Sequence, residues 1–238
     1  MATRSDPDYG KKLITHLGTR SPVTESYRVL RTNLQFLVLD RPLKSMVVTS
    51  AAPGEGKTLT TANLAIVIAQ GGDRVVVVDA DLRRPALHRA FGLPNRPGLT
   101  NVLVGGAALD SALQETNIGG LQVLTSGPIP PNPAELLASR AMRDLLAELG
   151  ERFDMVVVDS PPALPVTDAL VLSRSVDGVL MVVTAASTPY QVVQRACDAL
   201  KKVQARLLGV VLTQVRFGGP LDYYYYYYSK QPSRRKGS

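Results

Sequence analysis

The sequence predicts an α/β fold in which a mostly parallel central sheet carries helices on both faces. Short runs of Val, Ile and Leu, such as Val75–Val78 and Met155–Val158, alternate with segments of helical periodicity. These runs lack the polar alternation of a half-exposed strand, which indicates that both faces of the sheet are buried. A chain of 238 residues, 45% of them hydrophobic, is long enough for one domain of this class with a short tail.

The first predicted helix spans residues 22 to about 39, with Ser21 as its N-cap and Pro22 at its first position. Strands and helices then alternate along the chain. The predicted strands are 44–50, 74–80, 121–125, 154–159, 178–184 and 207–215, and the later helices are 57–70, 85–91, 133–149, 167–175 and 189–203.

Composition changes at both ends of this pattern. Residues 1–21 are polar, with scattered Gly and Pro, and are expected to form a flexible leader. From Phe217 the chain turns to Gly-Gly-Pro, six tyrosines and basic residues, so 217–238 is expected to be a flexible tail and 22–216 the folded domain.

Composition narrows the function classes only partly. The net charge of +7 is compatible with nucleic acid, anionic lipid or phosphorylated ligands and does not choose among them. No apolar run approaches the roughly 18–20 residues that cross a bilayer. The single Cys197 cannot form an internal disulfide, which is typical of a reducing cytoplasm.

A glycine-rich segment, Ser50–Thr58 (SAAPGEGKT), joins the first predicted strand to the helix that follows. Backbone N–H groups of such a turn cradle phosphate oxygens at the positive end of the helix dipole. Lys57 is expected to reach the β- and γ-phosphates, and the Thr58 hydroxyl to bind Mg²⁺. The standard pattern has Gly where this chain has Ala51. The segment predicts a P-loop NTPase-like fold that binds ATP and Mg²⁺, with nucleotide contacts from Pro53, Gly54, Glu55, Gly56, Lys57, Thr58 and Leu59.

Acidic residues follow two of the hydrophobic strands. Asp79 and Asp81 come after Val75–Val78, and Asp159 ends the run from Met155. Ligands of an open parallel sheet bind beyond the carboxyl ends of its strands, so these carboxylates are expected beside the P-loop. Mg²⁺ takes one or two protein oxygens together with substrate phosphates. A strand-end Asp can also simply cap the next turn.

Together these segments resemble the bacterial tyrosine kinases of capsular and exopolysaccharide biosynthesis. Ser50–Thr58 matches their Walker A motif, Val75–Arg83 their Walker A′ motif and Val156–Pro161 their Walker B motif, and the likeness extends through Gly127–Leu137 and Pro161–Asp168. The resemblance implies catalytic roles for Lys57, Asp79 and Asp81, and a metal site formed by Thr58, Asp79 and Asp159. Asp79 or Asp81 would take or orient the acceptor's proton, and which of them does so is left open.

The resemblance also implies the acceptor, which is a tyrosine cluster at the C-terminus. The cluster consists of Tyr223, Tyr224, Tyr225, Tyr226, Tyr227 and Tyr228. In this interpretation the γ-phosphoryl group of MgATP passes to the cluster of a neighbouring subunit. A strand formed by the six tyrosines is the structural alternative, against which the flanking Gly, Pro and basic residues argue.

A third motif lies in the first helix, where Glu25, Arg28 and Arg31 form the Glu-x-x-Arg-x-x-Arg pattern that such kinases use for ring assembly. Three-residue spacing places these charges along one helical face. An ordinary solvated face is the alternative, and the resemblance favours a ring-like homo-oligomer.

Partners and location follow from the resemblance alone. It implies a membrane-anchored activator, of the polysaccharide co-polymerase type, that recruits a cytoplasmic kinase to the inner face of the plasma membrane. It also implies a cognate tyrosine phosphatase.

The alternative function is a partition or division-site P-loop ATPase that acts as a nucleotide-switched binding module. That class has a signature Lys where this chain has Ala52, so nucleic acid is not expected as a partner. Thr213 stands where relatives often have Asn, which leaves the adenine contacts open.

Overall fold

The computed structural model describes residues 10–17, 21–37 and 43–215 and has the predicted α/β architecture. Its strands form one sheet in the order β3-β4-β2-β5-β1-β6-β7, in which only the β3–β4 pair is antiparallel. The strands are β1 (Ser45–Ser50), β2 (Val75–Asp79), β3 (Leu113–Glu115), β4 (Leu121–Leu124), β5 (Met155–Asp159), β6 (Gly178–Thr184) and β7 (Leu207–Thr213).

Helices cover both faces of this sheet. A 3-10 turn (Gly10–Lys12) precedes α1 (Ile14–Leu17), α2 (Pro22–Phe36), α3 (Lys57–Ala69), α4 (Leu87–Phe91), α5 (Leu99–Leu103), α6 (Leu109–Ala112), α7 (Pro133–Ala138), α8 (Arg140–Arg152), α9 (Asp168–Leu172) and α10 (Tyr190–Lys202). None of the helices in the described ranges is both long and apolar enough to cross a membrane.

The packing on the two faces of strand β2 explains why its sequence is a continuous run of valines. Val75 and Val77 belong to the core that includes α3, whereas Val76 and Val78 belong to the core that includes α8. Successive side chains of a strand point to opposite faces, so each face of β2 packs against a different helical layer. This packing places α3, which follows the P-loop, directly against the centre of the sheet.

Helix α2 begins as predicted. The Ser21 hydroxyl accepts a hydrogen bond from the Val23 N–H at 3.3 Å, and Pro22 occupies the first turn. Leu34 is buried, and Tyr27 and Leu30 pack against the α3 side of the core. The helix therefore lies along α3.

Two predictions differ from the structure. Residues 10–17, predicted as part of a flexible leader, instead pack on the domain, because Leu13 and Ile14 are buried and the Ile14 N–H donates to Asn63 Oδ1 at 2.9 Å. The predicted helix 133–149 is two helices, because Ser139 adopts an extended conformation and its hydroxyl caps α8 by accepting from the Met142 N–H at 3.2 Å.

The predicted tail, residues 217–238, lies outside the described residues. It contains all six tyrosines predicted as phosphate acceptors, namely Tyr223, Tyr224, Tyr225, Tyr226, Tyr227 and Tyr228. Their role as acceptors therefore stays a prediction.

Candidate active site

The P-loop connects β1 to α3 at the carboxyl edge of the sheet. Gly54 and Gly56 have φ of 82° and 85°, a left-handed conformation that favours glycine, and Gly56 is the N-cap of α3. Ala51 is not among the residues with positive φ, and its methyl group is buried in the core beside β6. The sequence therefore departs from the standard pattern at a position where glycine's conformational freedom is not needed.

The first turn of α3 directs two side chains at acidic residues. Lys57 Nζ donates to Asp81 Oδ2 at 2.8 Å, and the other oxygen of Asp81 accepts from the Arg84 N–H at 3.0 Å. The Thr58 hydroxyl donates to Asp159 Oδ2 at 2.6 Å. The lysine and threonine predicted from the P-loop pattern thus meet two of the three predicted carboxylates.

The third carboxylate, Asp79, lies directly beside Asp159, because these two residues are partners across β2 and β5. Both are fully buried. Asp79 Oδ2 accepts from the N–H groups of Ala86 and Leu87 at 3.1 and 3.0 Å. Asp79 Oδ1 is buried and has no hydrogen-bond partner among the residues that the structure describes. Such an oxygen is costly to bury, which points to a ligand-binding role.

Burial and mutual repulsion shape the charges of this cluster. Burial, reinforced by the charge of Asp159, raises the pKa of Asp79 to about 8. Burial likewise raises the pKa of Asp159, although the Lys57 ammonium and the Thr58 hydroxyl oppose the shift. Burial alone would lower the pKa of Lys57, but Asp159 and Asp81 raise it well above its ordinary value. Lys57 is therefore cationic at neutral pH.

The donor set fits a magnesium ion. In the described ranges no cluster of three or more His, Cys, Asp or Glu side chains has metal-binding geometry. Mg²⁺ does not need one, since it is held by one or two carboxylates together with phosphates and water. Thr58, Asp159 and the unpartnered oxygen of Asp79 are hard oxygen donors, and a cation would relieve the repulsion between the two buried carboxylates.

One feature of the site was missed by the sequence interpretation. Arg83 forms a two-pronged ion pair with the buried Asp168, at 2.8 Å and 3.0 Å. Both residues lie in segments that had been matched to family motifs, but no spacing rule links positions so far apart in the chain. The pair joins the loop after β2 to the start of α9.

Thr213 and Glu55 connect the P-loop to the neighbouring strands. The Thr213 hydroxyl donates to the backbone carbonyl of Glu55 at 2.8 Å. The Glu55 side chain is buried and points away from solvent, into the segment that follows β6. The residue that departs from the expected Asn thus supports the P-loop.

The three charged residues predicted for assembly do not share one environment. Arg28 pairs with Glu25 at 3.2 Å on the surface of α2. Arg31 instead donates to the Val67 carbonyl of α3 at 2.7 Å. A methyl group on Gly71 would lie 2.7 Å from Arg31 Nη1, so this guanidinium occupies a space left by glycine.

Comparisons with known proteins agree that the chain is similar to P-loop proteins and to bacterial tyrosine kinases. The ParA family model, described as NUBPL iron-transfer P-loop NTPase, matches residues 43–219. Tyrosine-protein kinase YwqD of Bacillus subtilis is 44% identical over 213 residues, which cover 90% of each chain.

Two solved structures share the fold of the chain. The chimerical protein CapA2B2 superimposes with a TM-score of 0.84 at 39% identity, covering 87% of this chain and 91% of that one. The septum site-determining protein MinD of Pyrococcus horikoshii, solved with Mg-ADP, gives a TM-score of 0.62 at 25% identity, covering 71% and 69%.

Proposed function

The chain belongs to the bacterial tyrosine-protein kinases, within the ParA-type P-loop NTPases, and on that premise we propose that it phosphorylates Tyr223–Tyr228 of a neighbouring copy of itself with MgATP. The observation that carries this proposal is the convergence of Lys57, Asp79, Asp81 and Asp159 at one edge of the sheet.

Lys57 supplies positive charge where the transferred group needs it. Phosphoryl transfer requires little covalent chemistry from the protein, so positioning and electrostatic stabilisation dominate. The backbone N–H groups of the P-loop would hold the phosphates, and the Lys57 ammonium would neutralise charge on the β- and γ-phosphates. Asp81 would hold Lys57 in place between turnovers, since the two side chains are 2.8 Å apart.

Thr58 and Asp159 would hold Mg²⁺, which would supply positive charge beside the transferred phosphoryl group. Asp79 Oδ1 is then left for one of two roles, a further bond to the metal or acceptance of the tyrosine hydroxyl proton. We assign it the proton, because both oxygens of Asp81 already accept hydrogen bonds whereas Asp79 Oδ1 has no partner in the described part of the chain. A cation beside Asp159 would offset the burial and the repulsion that raise the pKa of Asp79, so that Asp79 would be ionised when nucleotide and metal are bound. The proton leaves the phenol oxygen as that oxygen bonds to phosphorus, and ADP is the leaving group.

The proposed partners extend beyond the chain itself. By family likeness, a membrane-anchored activator would bind the kinase at the inner face of the plasma membrane, and a tyrosine phosphatase would reverse the modification. The process controlled would be capsular or exopolysaccharide synthesis and export. The division-site alternative is less well supported, because Ala52 replaces its signature lysine and the likeness to MinD is weaker than that to YwqD.

The experiment that tests this proposal mixes two variants. One is Lys57→Met with an intact tail, and the other is an active chain in which Tyr223–Tyr228 are replaced by Phe. After incubation with ATP and Mg²⁺, mass spectrometry should find phosphotyrosine on the tail of the Lys57→Met partner. The replacement of tyrosines in the active chain ensures that any tail phosphate was transferred between molecules.

Two outcomes would count against the proposal. If wild-type protein gains no phosphotyrosine under these conditions, even when the membrane-anchored activator proposed above is supplied, the kinase assignment fails. If wild type labels itself at a rate independent of concentration while the Lys57→Met partner stays unmodified, transfer between subunits fails and the modification occurs within one chain.

A further inference from the structure

Glu55 lies inside the phosphate-binding loop, yet its side chain is 3% exposed. One carboxylate oxygen, Oε2, accepts from the Ala52 N–H at 2.7 Å. The other, Oε1, accepts from the Thr184 N–H at 3.3 Å and from the Thr188 hydroxyl. One bond therefore closes the loop across itself, a second ties it to the last residue of β6, and a third ties it to the segment that follows β6.

The chemistry of the loop makes this carboxylate unexpected. A negative charge in a loop that binds phosphates opposes its ligand, because like charges at short range repel. Hydrogen bonds to an ionised acceptor are stronger than those between neutral groups. A buried carboxylate that accepts three hydrogen bonds is thus suited to fixing a backbone conformation. The Glu55 carboxylate points towards the segment after β6, so its charge faces that segment.

We propose that Glu55 is a positioning residue for the nucleotide: its carboxylate clamps the P-loop to Thr184 and Thr188 and so holds the loop in its phosphate-binding conformation. The Thr213 hydroxyl, which donates to the Glu55 carbonyl at 2.8 Å, supports the same residue from β7. This proposal rests on the proposed function, because it assumes that the P-loop binds the nucleotide used in the reaction.

The clamp predicts a particular kinetic signature. Without it, the loop occupies its binding conformation for a smaller fraction of the time, and the apparent dissociation constant rises by the inverse of that fraction. Once nucleotide is bound, its phosphates order the loop, so turnover at saturation suffers less. A residue that merely stabilises the fold would instead lower the amount of active protein and leave KM unchanged.

Glu55→Gln is the main test, since glutamine keeps the size of the side chain but replaces one acceptor oxygen with an N–H₂ donor. Its oxygen can still face Thr184 and Thr188, but its amide nitrogen would then oppose the Ala52 N–H. We expect the dissociation constant for MgADP, measured by calorimetry, and the KM for ATP each to rise about tenfold, with a much smaller fall in kcat.

Thr188 provides the matched pair of controls. Thr188→Val removes one donor at constant shape and should raise the same two constants by about threefold. Thr188→Ser keeps the hydroxyl and should restore wild-type values.

Two results would overturn the clamp. One is a MgADP dissociation constant within about twofold of wild type in both Glu55→Gln and Thr188→Val. The other is a fall in kcat at constant KM. The MgADP measurement does not depend on kinase activity, so a wild-type chain without phosphotyrosine would refute the proposed function and still leave the clamp decided by binding.

Discussion

At its N-terminal end α3 presents Lys57 and Thr58 to buried carboxylates, whereas at its C-terminal end every one of its last four carbonyl groups is paired. The Val67 carbonyl accepts from Arg31 at 2.7 Å. The carbonyls of Ile66, Ile68 and Ala69 accept from the N–H groups of Gln70, Gly71 and Gly72 at 2.9, 2.8 and 2.9 Å. By contrast, Asp79 Oδ1 at the other end has no partner within the described ranges.

This difference shows which end of the helix is organised for a ligand. Helix ends leave backbone groups unpaired, and a chain that pairs all of them gains stability without gaining a binding site. The N-terminal end instead keeps like charges close together in a buried place, which is unfavourable until a cation and phosphates arrive. The C-terminal end of α3 thus contributes to the stability of the fold. The N-terminal end sacrifices some local stability to form a binding site.

The largest expected effect is on the N-terminal end, from Lys57→Met. Loss of the ammonium removes the charge that neutralises the transferred phosphoryl group, so autophosphorylation should fall by at least about 100-fold. Phosphotyrosine formation with ATP and Mg²⁺ measures the loss, and circular dichroism checks that the fold is retained. Lys202→Met, the same change at an exposed position of α10, is the control and should keep its activity. Near-normal phosphotyrosine in Lys57→Met would refute the assignment of the site.

The two ends also differ in how far the sequence could predict them. The active-site end was predictable, because Lys57, Thr58, Asp79, Asp81 and Asp159 belong to local motifs whose order along parallel strands determines where they meet. The role of Arg31 was not predictable, since its partner Val67 is brought to it only by the packing of α2 on α3.

The same limit explains the other differences. Glu55 and Thr188, like Arg83 and Asp168, pair across large separations in sequence, and no local periodicity specifies such contacts. Ser139 shows the opposite case of a local signal that was overlooked, because a serine inside an apparently continuous helical pattern can begin a new helix.

The effect of Asp79→Asn is expected to be smaller than that of Lys57→Met, and it is a gain in stability where Lys57→Met loses activity. It should appear in protein free of metal and nucleotide. Burial raises the pKa of Asp79 from its ordinary value to about 8. Ionising this group in the folded state therefore costs stability, and wild type should lose stability as pH rises from about 4 to about 8. The variant has no charge to ionise there, and its side-chain oxygen can still accept from Ala86 and Leu87.

Thermal unfolding in EDTA measures the effect. Asp79→Asn should have a higher unfolding temperature than wild type at pH 8, and the difference should shrink at pH 5.5. MgADP should then stabilise wild type more than the variant. A variant that is less stable than wild type at both pH values would show that the carboxylate is not a source of strain.

The smallest effect is expected at the C-terminal end, from Arg31→Ala. The change leaves the Val67 carbonyl without its partner and should lower the free energy of unfolding by about 1–2 kcal/mol. Glu25→Ala is the control on the same helix, and since its ion pair with Arg28 is exposed it should cost roughly 0.5 kcal/mol or less. Urea denaturation of the two variants measures the difference.

The same pair of variants separates assembly from folding within the predicted motif. If Glu25 and Arg28 contact a neighbouring subunit while Arg31 acts inside its own chain, Glu25→Ala should reduce the oligomer mass in light scattering with little change in stability. Arg31→Ala should lower the free energy of unfolding, and the oligomer mass should fall only under conditions in which the variant begins to unfold. Arg31→Ala could instead disperse the oligomer without changing the free energy of unfolding. That result would show that the bond to the Val67 carbonyl does not stabilise α3 and that Arg31 contacts a neighbouring subunit.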